Sequence, residues 1–468
     1  MLLKCICTNF VTDLKDIIIM IKKFLFAMMA VCAMSAQAQD IAAVDTVSPA
    51  RVYFQKGKIH FRSNDGRFHL WLDNRVNLEA AIYSPTESVD GLTSKVNKDL
   101  ENDDTHFRFS DGVIVRRARF GIKAELDNWF AELDVDFAYN EVEIKDMFLG
   151  YKFNDHWNVR FGNFKVPMSM ERLTSSKYIN MAERPMPVEA FADGRCLGLS
   201  GTGWGRGWWA SAGVFGRSVD ILQKERNRGT DGWAVAGRAA FSPINNDQMT
   251  IHIGGYANYR RPAGDGADDH TVLFRTLPES RVDHRRFVQA EVANVDNYTT
   301  LGWELGFRYD KFLAYGEYVF NTIARHGYEN MKQISLRNAQ FNGWYAQASY
   351  MILGSNRRYS PDDAEFGPMT INRRGGNLEI AARVSNINMN DWHDSRAYIT
   401  GGKATAWSAA LNWYPTANVA LGLNYTFMNN DKYADSKGQI TCNGKKLSEV
   451  RPDGIDFSIF QMRAIISF

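Results

Sequence analysis

The segment Phe457-Ser-Ile-Phe-Gln-Met-Arg-Ala-Ile-Ile-Ser-Phe468 ends the chain and alternates between apolar and polar side chains. One face carries Phe460, Met462, Ala464, Ile466 and Phe468, whereas the other carries Gln461, Arg463 and Ser467. A repeat of two residues is the period of a β-strand, in which successive side chains point to opposite faces. The pattern predicts a strand with one apolar and one polar face, and a helix of period 3.6 does not fit it.

A strand that ends on an aromatic residue resembles the last strand of bacterial outer-membrane barrels, where the assembly machinery reads that aromatic end. The composition agrees, because hydrophobic residues make up 45% of the chain and aromatic residues 13%, yet the mean hydropathy is −0.34. No stretch after Ala38 approaches the ~20 consecutive apolar residues of a membrane helix. In a barrel only alternate residues face lipid, so the hydropathy of each strand averages out.

The N-terminal residues predict export from the cytoplasm. Lys22-Lys23 precede an apolar run over 24–33, and Ala36-Gln-Ala38 supplies a small-residue cleavage site. We interpret residues 1–38 as a secretory signal cleaved after Ala38. A normal signal layout starts at Met20, which indicates a mis-called upstream start codon; a genuinely long n-region is the alternative. Residues 39–66 are then expected to be a short periplasmic lead-in, and 67–468 the barrel.

The overall charge of the predicted mature chain indicates no particular partner. Residues 1–38 contain four Lys and two Asp, so 51 basic and 51 acidic residues remain of the 55 and 53 in the whole chain. Nucleic acid is not indicated as a partner, and any selectivity must come from local charges. Of the five Cys, only Cys196 and Cys442 follow residue 38, and one bridge or two free thiols are both compatible with the sequence.

Sixteen alternating segments can be counted between Arg67 and Phe468. Most pair across short turns, as 113–126 does with 129–137 around Asp127-Asn128. Short turns and long polar loops alternate along the chain, as in barrels with short periplasmic turns and long extracellular loops. One long segment, 354–375, falls on the turn side and does not fit this rule. The expected fold class is all-β, a transmembrane antiparallel β-barrel of about 16 strands.

The register of the first clear hairpin predicts two cross-strand ion pairs. If Asp127-Asn128 is a two-residue turn, Arg119 lies opposite Asp136 and Lys123 lies opposite Glu132. Both cations are therefore expected to have structural roles.

Strand parity also separates lipid-facing from lumen-facing residues. It directs Ile114 and Phe120 toward lipid and Arg117 into the lumen. Arg117 and Arg160 have no directly opposed carboxylate in this register, so both are candidates for contact with an anion, which a guanidinium group matches with forked donors. A merely solvated wall is the alternative, because many inward carboxylates accompany the inward cations.

Several motifs, taken in order along the chain, resemble the phosphate-selective porin O/P family. They are Arg116-Arg-Ala-Arg-Phe-Gly-Ile-Lys123, Asp146-Met-Phe-Leu-Gly-Tyr151, Arg160-Phe-Gly-Asn-Phe-Lys-Val-Pro167, Glu171-Arg-Leu-Thr-Ser175, Leu301-Gly-Trp-Glu-Leu305 and Ala382-Arg-Val-Ser385. The resemblance implies a sixteen-stranded, trimeric outer-membrane channel whose third extracellular loop, after Lys165, folds inward. It places these residues in or beside the constriction: Arg117, Arg119, Arg160, Lys165, Arg172, Arg184 and Arg195.

Together these features predict an outer-membrane porin for passive diffusion of small hydrophilic solutes, with an anion or phosphate preference. Carboxylates accompany the candidate cations, so the resemblance alone does not establish phosphate selectivity. Expected partners are the solutes, outer-membrane lipid and lipopolysaccharide, and further copies of the chain. The acidic loop at 99–104 is a remote candidate for divalent-cation bridging to lipopolysaccharide. No cofactor, metal or catalytic site is expected.

Two other functions were weighed against this prediction. A lipase-like barrel enzyme needs a Ser and a His on the lipid-facing wall, whereas His69 and His252 point inward by parity. A surface-binding barrel with a plugged lumen would lack ion conductance.

Overall fold

The computed structural model describes residues 50–55, 57–86, 89, 91–94, 107–219, 232–264, 270–371 and 373–468. The predicted signal sequence, residues 39–49 of the lead-in and the acidic loop at 99–104 lie outside these residues. Among the described residues, no helix combines the length and the hydropathy needed to cross a membrane. Cys196 is buried and Cys442 is partly buried, and both are free thiols.

The described elements are almost all β. The first strands are β1 (Arg51–Gln55), β2 (Lys58–Arg62), β3 (Phe68–Leu72), β4 (Arg75–Pro85), β5 (Leu92–Ser94), β6 (Gly112–Leu126), β7 (Trp129–Asp136), β8 (Glu143–Asn154), β9 (Trp157–Lys165), β10 (Arg195–Gly205), β11 (Trp208–Phe215), β12 (Trp233–Asn245) and β13 (Met249–Arg261). They continue with β14 (Val272–Arg275), β15 (Gln289–Val292), β16 (Val295–Tyr309), β17 (Phe312–Glu329), β18 (Lys332–Ser335), β19 (Ala339–Leu353), β20 (Arg357–Ser360), β21 (Glu365–Met369), β22 (Asn377–Asp391), β23 (Ile399–Thr416), β24 (Val419–Asn430), β25 (Ile440–Cys442), β26 (Lys445–Lys446) and β27 (Phe457–Ser467). Short helices are α1 (Met170–Leu173), α2 (Met186–Phe191) and α3 (Leu447–Val450), with a 3₁₀ turn at Ala138–Asn140.

Sixteen strands close into one antiparallel barrel: β4, β6–β13, β16, β17, β19, β22–β24 and β27. The last strand pairs with the first, from Phe457 opposite Pro85 to Ser467 opposite Arg75. The predicted number and order of strands are confirmed. Some strands are long, and β17 runs from Phe312 to Glu329.

The outer and inner faces of the wall follow the predicted parity in most strands. In β27, Phe460 and Met462 are 43% and 50% exposed, whereas Gln461 and Arg463 are 2% and 4% exposed. The exposed side is the lipid-facing side of a barrel. Large aromatic side chains are exposed at strand ends, where an interfacial girdle forms; they include Trp129, Trp157, Trp208, Trp233, Tyr309, Phe312 and Trp413.

A β-bulge in β6 makes one part of the predicted parity wrong. Asn77 pairs with Arg117 but Leu78 pairs with Val115, so Arg116 is an extra residue on the bulged strand. Val113 and Val115 are therefore exposed on the outer face, and Ile114, expected to face lipid, packs on the inner side. The bulge also lets Arg116 and Arg117 both line the lumen.

Part of the predicted lead-in is a β-hairpin. β1 pairs with β2, and β2 pairs with β3. β3 pairs with β6 beyond the end of β4, on the side of the rim that carries the short turns. The hairpin therefore extends the sheet beyond the end of β27, where Phe468 exchanges two backbone hydrogen bonds with Asn74. Its outer face exposes Val52 and Phe54.

The long segment on the turn side folds into the barrel. β20 and β21 pair with each other and form what we call the periplasmic hairpin, residues 357–369. Tyr359, Ala364 and Phe366 in this hairpin are buried. The predicted strand count was therefore complete, and the exception to the short-turn rule is a real inward hairpin.

Candidate pore and its constriction

The third extracellular loop, residues 166–194 (L3), folds into the barrel as predicted. Wall carboxylates hold its first helix. Ser169 donates its hydroxyl to Glu317 at 3.0 Å, the Met170 N–H donates to Glu304 at 2.9 Å, and the Glu171 N–H donates to Glu317 at 2.9 Å. Negative charge at a helix start satisfies backbone N–H groups that have no partner within the helix.

Polar wall residues also hold the second half of L3. Arg463 donates to the Met181 carbonyl at 2.6 Å, and Asn412 donates to the Asn180 carbonyl at 2.8 Å. Buried backbone groups need partners, and a loop with little regular structure finds few in itself. The inward polar residues of the wall therefore position L3.

The periplasmic hairpin enters from the opposite rim and meets L3. The Trp209 indole donates to the Asp362 carbonyl at 2.8 Å, and Arg238 donates to the Ala364 carbonyl at 2.7 Å. Tyr359 shares a hydrogen bond of 2.8 Å with His252. Strand β21 contacts helix α1. L3 and the periplasmic hairpin thus fill one side of the lumen between them.

A cavity of about 1170 Å³ remains along the other side of the lumen. Its wall residues come from β4 and β6–β11 and the Asp73 corner beside them, and its inner side from L3, the periplasmic hairpin and the fifth extracellular loop, residues 262–294 (L5). It reaches from Arg286 of L5 to Trp209 near the short turns. All seven residues proposed from the sequence line it: Arg117, Arg119, Arg160, Lys165, Arg172, Arg184 and Arg195.

Four of the seven have a carboxylate partner. Arg119 lies opposite Asp136, at 2.9 Å, as the predicted register requires. The second predicted pair, Lys123 with Glu132, is also present, at 3.1 Å. The other three partnered members are Arg172 with Glu189 at 3.0 Å, Arg195 with Asp146 at 2.6 Å and Arg117 with Glu183 at 4.0 Å.

Arg117 differs from its predicted environment. Strand β7 ends at Asp136, so Arg117 has no directly opposed carboxylate in the sheet. L3 brings in Glu183, which contacts Arg117 and pairs with Arg116. Burial raises the pKa of Glu183, but the charges of Arg116 and Arg117 hold its net pKa well below the usual range. Arg117 is therefore a partly neutralised cation.

The remaining three, Arg160, Lys165 and Arg184, have no carboxylate oxygen within 4.0 Å among the described residues. Arg160 lies over the rings of Phe130 and Phe148, at 5.8 and 5.6 Å. Lys165 and Arg184 both donate to the Thr174 carbonyl, at 3.3 and 2.7 Å. Burial and neighbouring Arg172 lower the pKa of Arg184 to about 10, so it stays charged at neutral pH.

Further cations in this cavity were not proposed as site residues from the sequence. Arg75 lies inward by parity and donates to Ser176 at 2.9 Å, so a ranking by strand position could have included it. L5 adds Arg275, Arg281 and Arg286 at the extracellular side. Arg281 pairs with Glu189. Loop residues have no period from which their direction can be predicted.

The cavity lining is moderately basic. Fourteen Lys and Arg and eleven Asp and Glu are among the described residues that line it. Carboxylate oxygens of Glu132, Asp134 and Asp146 lie within 4.8 Å of one another, which is compatible with a cation site. Each of these carboxylates already pairs with a cation, namely Lys123, Arg119 and Arg195 in that order, so the cluster is neutralised by the protein itself.

Comparison with known proteins identifies the family. The model of the family "Phosphate-selective porin O and P" matches residues 73–465. The chain belongs to this family. The chain is accordingly an outer-membrane β-barrel porin, and the family points to a channel rather than an enzyme.

Two relatives illustrate the range of similarity. Porin O of Pseudomonas aeruginosa is 23% identical over 445 residues, which cover 87% of this chain and 93% of the relative. An uncharacterised protein of Caulobacter vibrioides is 25% identical over 323 residues, covering 67% of this chain but only 62% of the relative. Among solved structures, the anion-selective porin from Comamonas acidovorans matches with a TM-score of 0.47 and 14% identity, covering 86% of this chain and 100% of that one.

Proposed function

We propose that this porin is a passive diffusion channel that favours small anions, phosphate among them. The observation that carries the proposal is the group of lumen cations that have no carboxylate partner in the described part of the chain, above all Arg160. A guanidinium group without a partner can replace part of the hydration shell of a passing anion, whereas a neutralised one has its donors engaged.

The unpartnered cations span the cavity in the order a solute would meet them. Arg275 and Arg286 of L5 stand at the extracellular side, and no described carboxylate lies within 4.0 Å of either. Burial and the charges of Arg275 and Arg281 lower the pKa of Arg286 to about 10, so it remains positive at neutral pH. Arg184 of L3 and Arg160 of the wall follow. Several weak sites in sequence allow both entry and release, which conduction requires.

Phosphate is the solute that the family name suggests, but the lining also contains carboxylates. Glu189 and the hairpin residues Asp362 and Asp363 face the same cavity as the cations. We therefore propose a preference for small anions in general and not an exclusive phosphate site.

We infer that the protein works as a homotrimer, with the wall at β7–β11 turned toward its neighbours. Strands β7 and β11 have 8 residues each, whereas β17 and β23 have 18 each. At ~3.4 Å per residue and a tilt of ~40°, an 8-residue strand rises only ~21 Å, less than the ~25 Å apolar band of such barrels. A neighbouring subunit would shield this low wall from lipid. Lipid contact elsewhere on the outer face, and lipopolysaccharide bridging at 99–104, stay predictions.

The lipase-like alternative has less support among the described residues. His252 is fully buried inside the barrel, and its ring nitrogens contact Tyr359 and Glu304, at 2.8 and 3.1 Å. Neither partner is a serine.

Single-channel recording in planar bilayers tests the proposal. We expect stepwise conductance. In a gradient of potassium chloride, we expect a reversal potential with the sign that shows chloride crossing more readily than potassium. When phosphate replaces chloride, the reversal potential should keep the same sign. Absence of conductance in folded, purified protein would contradict the channel, and a cation-side reversal potential would contradict the anion preference.

A further inference from the structure

The tip of the periplasmic hairpin carries three carboxylates in the lumen. Asp362, Asp363 and Glu365 all line the cavity beside L3. The side chains of Asp362 and Asp363 are solvent-exposed, although the hairpin lies inside the barrel. Its attachment to the wall uses backbone carbonyls of Asp362 and Ala364, which accept from Trp209 and Arg238. The carboxylates of Asp362 and Asp363 are therefore not needed to hold the hairpin, whereas Glu365 is buried and hydrogen-bonds with Thr174 of L3.

These three carboxylates differ from those on the wall. Asp134, Asp136 and Asp146 each lie within 3.2 Å of an arginine nitrogen. Within the described ranges, no Lys, Arg or His nitrogen lies within 4.0 Å of Asp362, Asp363 or Glu365. The field of a neutralised carboxylate is largely cancelled nearby, whereas the field of the tip extends into the water-filled space.

The positive counterpart of the tip stands in the same cavity. Arg160 and Lys165 project from β9, and both lack a carboxylate partner among the described residues. The charges of Arg160, Lys123 and Lys165 act on Asp363. One side of the narrow part is therefore negative and the other positive, and the two poles do not touch.

We propose that the acidic tip of the periplasmic hairpin determines charge selectivity by making the constriction dipolar. A small zwitterion would place its anionic group toward Arg160 and Lys165 and its ammonium group toward Asp362 and Asp363. Such a solute is favoured over a neutral solute of equal size, and the tip moderates the anion preference that the cations alone would give. The inference rests on the proposed channel function and names the solute class of the same pore.

The experiment compares two triple variants of the full-length porin. In the tip variant, Asp362→Asn, Asp363→Asn and Glu365→Gln remove the three lumen carboxylates. The control variant, Asp155→Asn, Asp247→Asn and Asp310→Asn, removes three exposed carboxylates from short turns outside the lumen. Both change the formal charge equally. Because the tip variant leaves the backbone contacts of the hairpin and the Tyr359–His252 hydrogen bond unchanged, it is expected to assemble. Heat-modifiable mobility on a gel checks assembly.

Two measurements are made on each protein. Reversal potential in a potassium chloride gradient reports charge preference. Swelling of porin-containing liposomes in glycine, divided by swelling in its neutral isomer glycolamide, reports preference for a zwitterion at fixed size. We expect a ratio above one in the unchanged porin and in the control variant. In the tip variant the ratio should fall toward one and the reversal potential should move to stronger anion preference.

The outcomes separate the two proposals. If the unchanged porin conducts but the tip variant keeps its ratio and reversal potential, the dipolar constriction is wrong and the channel proposal stands. If the control variant changes as much as the tip variant, the effect is one of summed charge and the inference also fails. No conductance in the unchanged protein would overturn the channel itself. Should the tip variant fail to assemble, Asp362→Asn with Asp363→Asn is measured in the same way.

Discussion

At the scale of single residues, the partner of each lumen charge matters more than its presence. Arg119 and Arg160 both point inward from the wall, yet Arg119 lies between Asp134 and Asp136, whereas Arg160 lies over aromatic rings and pairs with no carboxylate of the described residues. An ion pair presents little net field to a solute, and an unpartnered guanidinium group presents its full charge and its donors. The number of arginines in the lumen is therefore a poor measure of selectivity.

The first prediction compares an unpartnered cation with a neutralised pair. We expect Arg160→Met to shift the reversal potential toward cation preference, because it removes a whole unpartnered charge while keeping an apolar contact with Phe130. The double variant Lys123→Met with Glu132→Gln removes an ion pair without changing net charge and should leave the reversal potential nearly unchanged. Equal shifts in both proteins would show that pairing is irrelevant to selectivity.

The second prediction concerns pH and Glu365 of the periplasmic hairpin. Burial and the charge of Asp363 raise the pKa of Glu365 to about 7, against the opposing effects of Lys165, Arg238 and the Thr174 hydroxyl. As pH falls from about 8 to about 6, Glu365 takes up a proton and the lumen loses a negative charge. The reversal potential should therefore move toward stronger anion preference.

The matched variant for this titration is Glu365→Gln, which should show a smaller pH-dependent change. Lys177 titrates nearby, with a pKa lowered to about 8 by burial despite its contact with Asp73. It is present in both proteins, so their difference isolates Glu365. His284 is also present in both proteins, and burial and the charge of Arg286 lower its pKa. Identical pH profiles in the two proteins would contradict the prediction.

At the scale of elements, two inward segments define the pore. L3 is held by polar wall residues that reach its backbone, and the periplasmic hairpin is held through its carbonyls and through Tyr359. The wall residues that hold them come mainly from β12 and later strands, with Trp209 of the short strand β11 also holding the hairpin, so water is left along β4 and β6–β11. The short wall and the open path are thus on the same side of the barrel.

The third prediction tests L3. Deleting Ser169 to Asn180 should raise single-channel conductance, because this part of L3 stands in the lumen beside the cavity. The deletion also removes the backbone donors of Glu304 and Glu317, and a buried hydrogen bond contributes about 0.5–1.5 kcal/mol, so a lower unfolding temperature is expected. A deletion of equal length over 432–443, outside the cavity lining, is the control. Unchanged conductance in a folded L3 deletion would place the loop outside the conducting path.

At the scale of the whole molecule, two solvents decide the fold. The outer face meets lipid, the inner face meets water and charged loops, and a closed ring of strands leaves no unpaired backbone edge in the membrane. The ring closes between Val76 and Ile466, residues from opposite ends of the described chain. Closure therefore depends on all sixteen strands.

The fourth prediction tests the two faces. Phe120 is exposed on the outer side of β6, so Phe120→Arg should destabilise the barrel by about 2–4 kcal/mol, the cost of an arginine near the bilayer midplane. Phe120→Leu keeps an apolar group at the same position and should assemble normally. Unfolding midpoints in urea, after insertion into lipid vesicles, measure the difference. Normal stability of the arginine variant would mean that Phe120 does not face lipid.

Alternation in the sequence determined the barrel, its sixteen strands, the pairs Arg119–Asp136 and Lys123–Glu132, and the inward direction of Arg117, Arg119 and Arg160. The other four residues found along the cavity, Lys165, Arg172, Arg184 and Arg195, were predicted from the resemblance to the family. Alternation carries this information because a strand between lipid and water must change polarity at every residue. Where the period fails, prediction failed too, as at the bulge that turns Ile114 inward.

Only the tertiary structure decided which lumen charges the loops neutralise. Glu183 reaches Arg116 and Arg117 from a loop far along the chain, and the periplasmic hairpin carries its acidic tip into the lumen. Such loops have no period, and their positions depend on polar contacts between distant residues. The barrel follows from local alternation, whereas the charge of its pore follows from contacts that exist only after the chain has closed on itself.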